Sequence, residues 1–183
     1  MERTQDFILI SLFAALTAIG AYIRIPVPVV PFTLQFLFTM LAGLLLGGKR
    51  GALSVLAYIL IGLLGMPVFA GGGGPAYVLQ PTFGYLLGFS AGAFVTGEIA
   101  NRVPAPSMKR LLAANFTGLL IVYAAGMLYY WLICTFYTGR GIGFWTLFLY
   151  CFVLAVPGDA ALCVVAALIS KRLIPMLNAK AQR

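Results

Sequence analysis

Long apolar runs fill most of this chain and leave its few charges to the short turns between them. That distribution constrains the fold more than any motif. A run of about 20 apolar residues crosses the hydrocarbon core of a bilayer. In that solvent only helices and closed barrels satisfy their own backbone polar groups. Composition agrees: 62% of the residues are hydrophobic and 9% charged, which excludes both an ordinary soluble domain and a disordered chain. The 183 residues fit one domain, 1–183, an all-α membrane bundle of about six spans at roughly 20 residues each. No signal-peptide pattern with a small-residue cleavage site stands near the start, so the first apolar segment is expected to stay as a span.

The net charge is +8. On a soluble protein this would suggest nucleic acid. Here the basic residues gather at span ends, where they set orientation, so the expected surroundings are a lipid bilayer and nucleic acid is excluded. Cys134, Cys151 and Cys163 lie in apolar segments without metal-ligand spacing and read as small buried hydrophobes. There is no histidine. That removes the Ser-His-Asp triad and the His-Glu-x-x-His zinc site together.

Six spans are predicted near residues 7–23, 32–46, 52–64, 82–99, 111–133 and, after a break at Pro157-Gly158, through 169. Pro26 and Pro28 end the first span. Ala14 and Ala18 sit four residues apart on it, a spacing that lets another helix approach closely. Packing within the bundle and docking to another membrane subunit both fit that pair. Residues 47–51 read as a tight basic turn, and Glu98 with Arg102 as an interfacial pair. Pro157 reads as the first residue of the last span, with the apolar stretch before it a shorter helix or partial span. With the amino terminus inside, Arg3, Lys49, Arg50, Arg102, Lys109, Arg110, Lys171, Arg172, Lys180 and Arg183 fall inside, and only Arg24 and Arg140 outside. The asymmetry places both termini in the cytoplasm.

Residues 65–89 interrupt the apolar pattern without a single charge. Gly71, Gly72, Gly73 and Gly74 permit unusual backbone angles. Pro67, Pro75 and Pro81 restrict them. Phe69, Tyr77, Phe83 and Tyr85 give the stretch rings to pack, unlike a flexible polar linker. It reads either as a loop closing the end of the bundle or as a ligand lid. Asp159 is the acid that falls inside the membrane, in the outer half and the first turn of its helix. A carboxylate there gains from the helix dipole and is a functional candidate by default; capping alone is the other reading. Thr33 and Gln35 open span 2, and Thr82 and Tyr85 open span 4. All these polar first turns share the outer level as Asp159 does. Beneath the glycine loop they describe an outward-facing small-molecule pocket. A ligand with N–H donors suits Asp159; rings of Phe69, Tyr77 or Tyr85 suit its apolar body.

Specific blocks support a family. Ile25-Pro26-Val27-Pro28 with Pro31-Phe32-Thr33-Leu34-Gln35 comes first, followed by residues 41–47 and Gly51-Ala52-Leu53-Ser54. Gly65-Met66-Pro67-Val68-Phe69-Ala70-Gly71-Gly72, Pro81-Thr82-Phe83-Gly84-Tyr85-Leu86-Leu87-Gly88-Phe89 and Pro157-Gly158-Asp159 complete the set. The chain resembles the BioY family, the biotin-binding S components of energy-coupling-factor transporters. The resemblance implies a six-helix, multi-pass protein of a prokaryotic plasma membrane that binds biotin from outside. Its implied partners are a transmembrane T component and two ABC-type ATPases, which hydrolyse ATP. This chain carries no phosphate-binding Gly-x-x-x-x-Gly-Lys-Ser/Thr loop of its own and is not expected to be an enzyme or to hold a cofactor. Ala14 and Ala18 resemble the family's docking motif. Two positions depart from the pattern: Phe83 stands where a glycine is usual, and Leu162 where a lysine is common. Arg24, Arg140 or backbone amides of the glycine loop would then meet the biotin carboxylate.

Rival readings are an S component for thiamin or riboflavin, an intramembrane enzyme, and a channel. An enzyme needs clustered acids, a nucleophile with a base, or metal ligands, which one buried Asp and no His do not supply. A channel needs polar residues along the inner half of the spans.

Overall fold

A computed structural model of the chain describes residues 2–25, 32–139, 141 and 143–181. Pro26, Val27, Pro28 and Pro31, which carry part of the resemblance and the expected end of the first span, lie outside these residues, as do Arg140 and Arg183.

Helix α1 (Glu2–Tyr22) is followed by a two-stranded antiparallel ribbon, β1 (Arg24–Ile25) with β2 (Phe32–Thr33), in which Arg24 pairs with Thr33. The expected all-helical bundle thus carries one small sheet. Helices α2 (Gln35–Leu46) and α3 (Gly48–Leu63) meet at Gly47, whose φ of 86° ends one helix and opens the next. The predicted basic turn shrinks to that one residue, because Lys49 and Arg50 already lie in α3. A long connection containing a 3-10 turn (Pro75–Leu79) leads to α4 (Phe83–Ala100). Helix α5 (Met108–Leu132) is capped by the Ser107 side chain, which accepts from the Arg110 amide at 3.3 Å, and it runs on into a π turn (Ile133–Tyr137). Then come α6 (Phe144–Phe148), a second π turn (Leu149–Val153) and α7 (Val156–Ala181). Pro157 is the second residue of α7 rather than its first. An early helical position lacks an intrahelical N–H partner, so the missing proton costs nothing there.

Among the described residues, four stretches are long and apolar enough to cross a membrane: Thr4–Tyr22, Phe83–Ala100, Met108–Tyr137 and Trp145–Leu177. Helix α2 has 12 residues, or about 18 Å of rise, and α3 has 16, or about 24 Å. Both fall short of a hydrocarbon core about 30 Å thick.

Helix α4 is the hub, packed against α2, α3 and α5. Its approach to α5 depends on absent side chains. A Cβ on Gly84 would stand 2.1 Å from Cβ of Tyr129, and one on Gly88 2.9 Å from Cα of Val122. Small residues four apart let two membrane helices touch along their backbones. Buried polar side chains stitch the helices together: Thr96 donates to the Ala114 carbonyl (3.1 Å) and Asn115 to that of Cys163 (2.8 Å). The three cysteines are buried and free.

Two residue pairs read from their spacing are placed by packing. Ala14 is 5% exposed and belongs to the core, beside the buried Thr17; Ala18 is half-buried and packs on the same core. Ala14 is therefore taken up inside the bundle, while Ala18 keeps part of its surface open. Glu98 does not pair with Arg102: the salt bridge among the described residues joins Arg50 to Asp6 at 2.9 Å. The Glu98 carboxylate instead lies against Gly48, where a Cβ would meet Oε1 at 2.7 Å, at the positive end of the α3 dipole.

Candidate functional site

The sequence places the polar first turns of α2, α4 and α7 at one level, and the fold brings them around a single cavity of about 290 Å³. That is near the lower end of small-molecule pockets, roughly 300–1,000 Å³. Its buried floor is apolar: Phe36, Leu86, Phe89 and Val122, with Phe36 and Phe89 rings 6.5 Å apart. Thr33 and Gln35 form one wall, Asp159 with Tyr123 and Tyr85 another, and Ala70, Gly71, Tyr77, Gln80 and Thr82 the side beneath the loop. Arg24, Gly71 and Gln80 are exposed and mark the rim.

Asp159 stands in the first turn of α7, and its backbone amide donates to Ala155 at 3.2 Å. Tyr123 of α5 donates its hydroxyl to Asp159 Oδ2 at 2.5 Å, which fixes the carboxylate and leaves acceptor capacity on both oxygens. Tyr123 in turn is held edge-on between Phe152 (5.3 Å) and Tyr85 (6.1 Å). The buried Tyr85 hydroxyl makes no conventional hydrogen bond; its near neighbour is the Cys151 thiol, a weak partner. A buried hydroxyl lining a cavity without a proper partner is a position a ligand polar atom would satisfy.

On the opposite wall Thr33 donates to Gln35 Oε1 (3.2 Å), and Gln35 Nε2 donates to the Tyr58 hydroxyl (2.6 Å). Tyr58 then donates to the Val68 carbonyl of the loop at 3.1 Å. A cavity-lining amide is thereby wired to the loop above it. The loop is anchored further by Tyr22 on the Pro67 carbonyl, Arg24 on that of Ala70, and Tyr129 on that of Val78 at 2.6 Å. Gly74 N–H donates to the Gly62 carbonyl at 2.7 Å.

The loop does not present all its predicted residues to the cavity. Phe69 is 2% exposed and points down between Tyr58 (5.4 Å, edge-on) and Tyr77 (4.5 Å), so it anchors the loop and does not line the pocket. Gly72 and Gly74 have φ of 123° and 102°, and Gly72 pairs with Phe69 in a backbone bridge. A Cβ on Gly73 would meet the Met66 carbonyl oxygen at 2.1 Å. These three glycines serve the turn; Gly71, with Ala70, faces the cavity. The two departures also point elsewhere. Phe83 is buried against Tyr129, 5.9 Å between rings, and Leu162 packs on the core; neither lines the cavity. Sequence reasoning missed Tyr123, Phe32, Phe36 and Gln80 as lining residues. A tyrosine in the middle of an apolar span was the available signal for Tyr123, since its hydroxyl needs a partner there.

The BioY family model matches residues 1–179. A probable biotin transporter BioY of Lysinibacillus sphaericus is 46% identical over 172 residues, 94% of this chain and 88% of that protein. The biotin transporter BioY of Rhizobium etli is 38% identical over 192 aligned residues, 97% of this chain and 99% of the relative. Among solved structures, the S-component for biotin from an ECF-type ABC transporter superposes with a TM-score of 0.79 at 25% identity, covering 94% of this chain and 92% of the other.

Proposed function

Since the chain belongs to the BioY family, we propose that it is the biotin-binding subunit of an energy-coupling-factor vitamin uptake transporter. It works in a prokaryotic plasma membrane as a single six-span domain, both termini cytoplasmic and the cavity opening outward. Orientation rests on the charge asymmetry between the turns. The shorter α2 and α3 complete spans with their flanking segments. A T component and two ABC-type ATPases supply the energy for uptake. The observation that carries the reading is the carboxylate of Asp159, fixed by Tyr123 in a cavity with aromatic and apolar walls.

Biotin offers what that cavity asks for. Its ureido ring carries two N–H donors, which Asp159 accepts. Tyr85, Thr82, Gln35 and Thr33 surround the rest of the polar head, and the apolar floor takes the sulfur-containing ring and chain. Gly71 and Ala70 cover the ligand, on a turn that Gly72, Gly73 and Gly74 make possible. Isothermal titration of the purified chain against biotin, thiamin and riboflavin tests this. Biotin alone should bind tightly, one to one. Asp159→Asn should weaken it about 10- to 100-fold, the worth of a hydrogen bond to a charged group. Preference for another vitamin would overturn the assignment, and unchanged affinity of the variant would remove Asp159 from the site.

A further inference from the structure

We propose that Arg24 is the anion-binding residue of this pocket: one guanidinium takes the ligand's carboxylate and holds the loop at Ala70, so recognising an acid and closing the loop share a side chain. This rests on the reading of the cavity as a biotin site and adds which end of the ligand sits where. Two charged side chains line the cavity among the described residues, Arg24 and Asp159. They do not pair with each other; the salt bridge described lies elsewhere, between Arg50 and Asp6. Opposite charges in one small cavity, unpaired with one another, ask for a ligand with a donor group at one end and an anion at the other.

Their placement separates the two poles. Strand β2 lies between them. Thr33 is the backbone partner of Arg24. The preceding Phe32 packs its ring on α7 beside Asp159, where a Cβ on Gly158 would come within 2.6 Å of it. The ligand therefore lies across β2, its N–H groups at α7 and its carboxylate at the rim. Arg24 makes one described hydrogen bond, to the Ala70 carbonyl. A guanidinium has five N–H donors in a planar fork matched to carboxylates, so holding the loop leaves donors for the ligand. Leu162 packs on the core and supplies no cation here. Arg24 is exposed, which lowers the worth of an ion pair. The charge should therefore count for several-fold to about tenfold in affinity.

Titration of biotin and of biotinamide, its uncharged carboxamide, into the wild-type chain, Arg24→Gln and Arg24→Lys tests the assignment. The wild type should prefer biotin by that factor. Arg24→Gln should bind the two alike, somewhat below the wild-type affinity for biotinamide because the bond to the Ala70 carbonyl goes with the charge, and Arg24→Lys should keep part of the preference. A melting curve in detergent checks separately that each variant is folded. An Arg24→Gln chain that still favours the acid, or a wild type that binds both equally, overturns the proposal. Equal loss of both ligands in both variants also overturns it, because Arg24 would then only hold the loop. A wild type that binds neither compound refutes the biotin reading itself, a result distinct from all of these.

Discussion

Replacing Tyr123 by Phe isolates one hydrogen bond. The Tyr123 hydroxyl donates to Asp159 Oδ2 at 2.5 Å, while its ring, 3% exposed, packs edge-on against Phe152 and Tyr85. Phenylalanine keeps the ring and those contacts. What disappears is a hydrogen bond to a carboxylate, worth about 1.5–3 kcal/mol. The effect on ligand should sit at the low end, because the carboxylate remains and each of its oxygens accepts more than one donor. We expect biotin affinity to fall about tenfold, near 1.4 kcal/mol. Titration calorimetry on Tyr123→Phe, Asp159→Asn and the double variant reads it. If Tyr123 acts by holding Asp159, the double variant loses no more than Asp159→Asn alone. Losses that add would mean the two residues contact the ligand independently. Additivity, or a Tyr123→Phe chain with wild-type affinity, refutes the positioning role.

Gly62→Ala should unsettle the loop from below. The added Cβ would stand 2.1 Å from Cζ of the buried Phe69 ring, so a cost of about 1–3 kcal/mol is expected, seen as a lower melting temperature in detergent with weaker biotin binding; an unchanged melting curve rejects the anchoring role of Phe69. Orientation is checked by cysteine labelling in intact cells, against a low background because the native cysteines are buried. A cysteine at Met66, 57% exposed on the loop, should react with an impermeant maleimide, and one replacing Arg102 only after permeabilisation; the reverse pattern inverts the topology.

The bundle was legible because its signals are local. Apolar runs gave most helix ends to within about five residues, and Pro157 marked the start of α7 within one, but α7 runs on to Ala181, well past the predicted end at 169. What sequence could not supply was which face each helix turns inward. Ala14 and Ala18 share a spacing suited to docking, but the same small side chains also suit close contact with the chain's own helices, and the bundle buries Ala14 that way. Glu98 and Arg102 are four apart and suggest a pair. A helix N-terminus from a different part of the sequence takes Glu98 instead. Spans 2 and 3 read as short from the sequence, and α2 and α3 are short; α2 is buried along most of its length, while α3 keeps Leu53, Leu56 and Leu60 on an exposed apolar face.

The site was legible where a residue type is rare for its surroundings. A lone acid in a membrane helix identifies itself, and so do Thr33 and Gln35 at the head of an apolar run, although Thr33 belongs to β2 and only Gln35 to α2. Its partner Tyr123 lies 36 positions away, a pairing that only the α5–α7 contact creates. The glycine loop shows the limit most clearly. Its composition announced a packed loop or a lid but not which of its residues face the cavity. Phe69 looked like a pocket wall and is the anchor. Its burial, at about 1.5–3 kcal/mol, joins side-chain bonds to the carbonyls of Pro67, Val68, Ala70 and Val78, each worth about 1 kcal/mol. Swinging the whole loop aside would cost several kcal/mol together. The rim formed by Arg24, Gly71 and Gln80 involves only one of those bonds. A loop this heavily anchored behaves as part of the wall, and the smaller rearrangement at its Arg24 edge is the less costly route for a ligand.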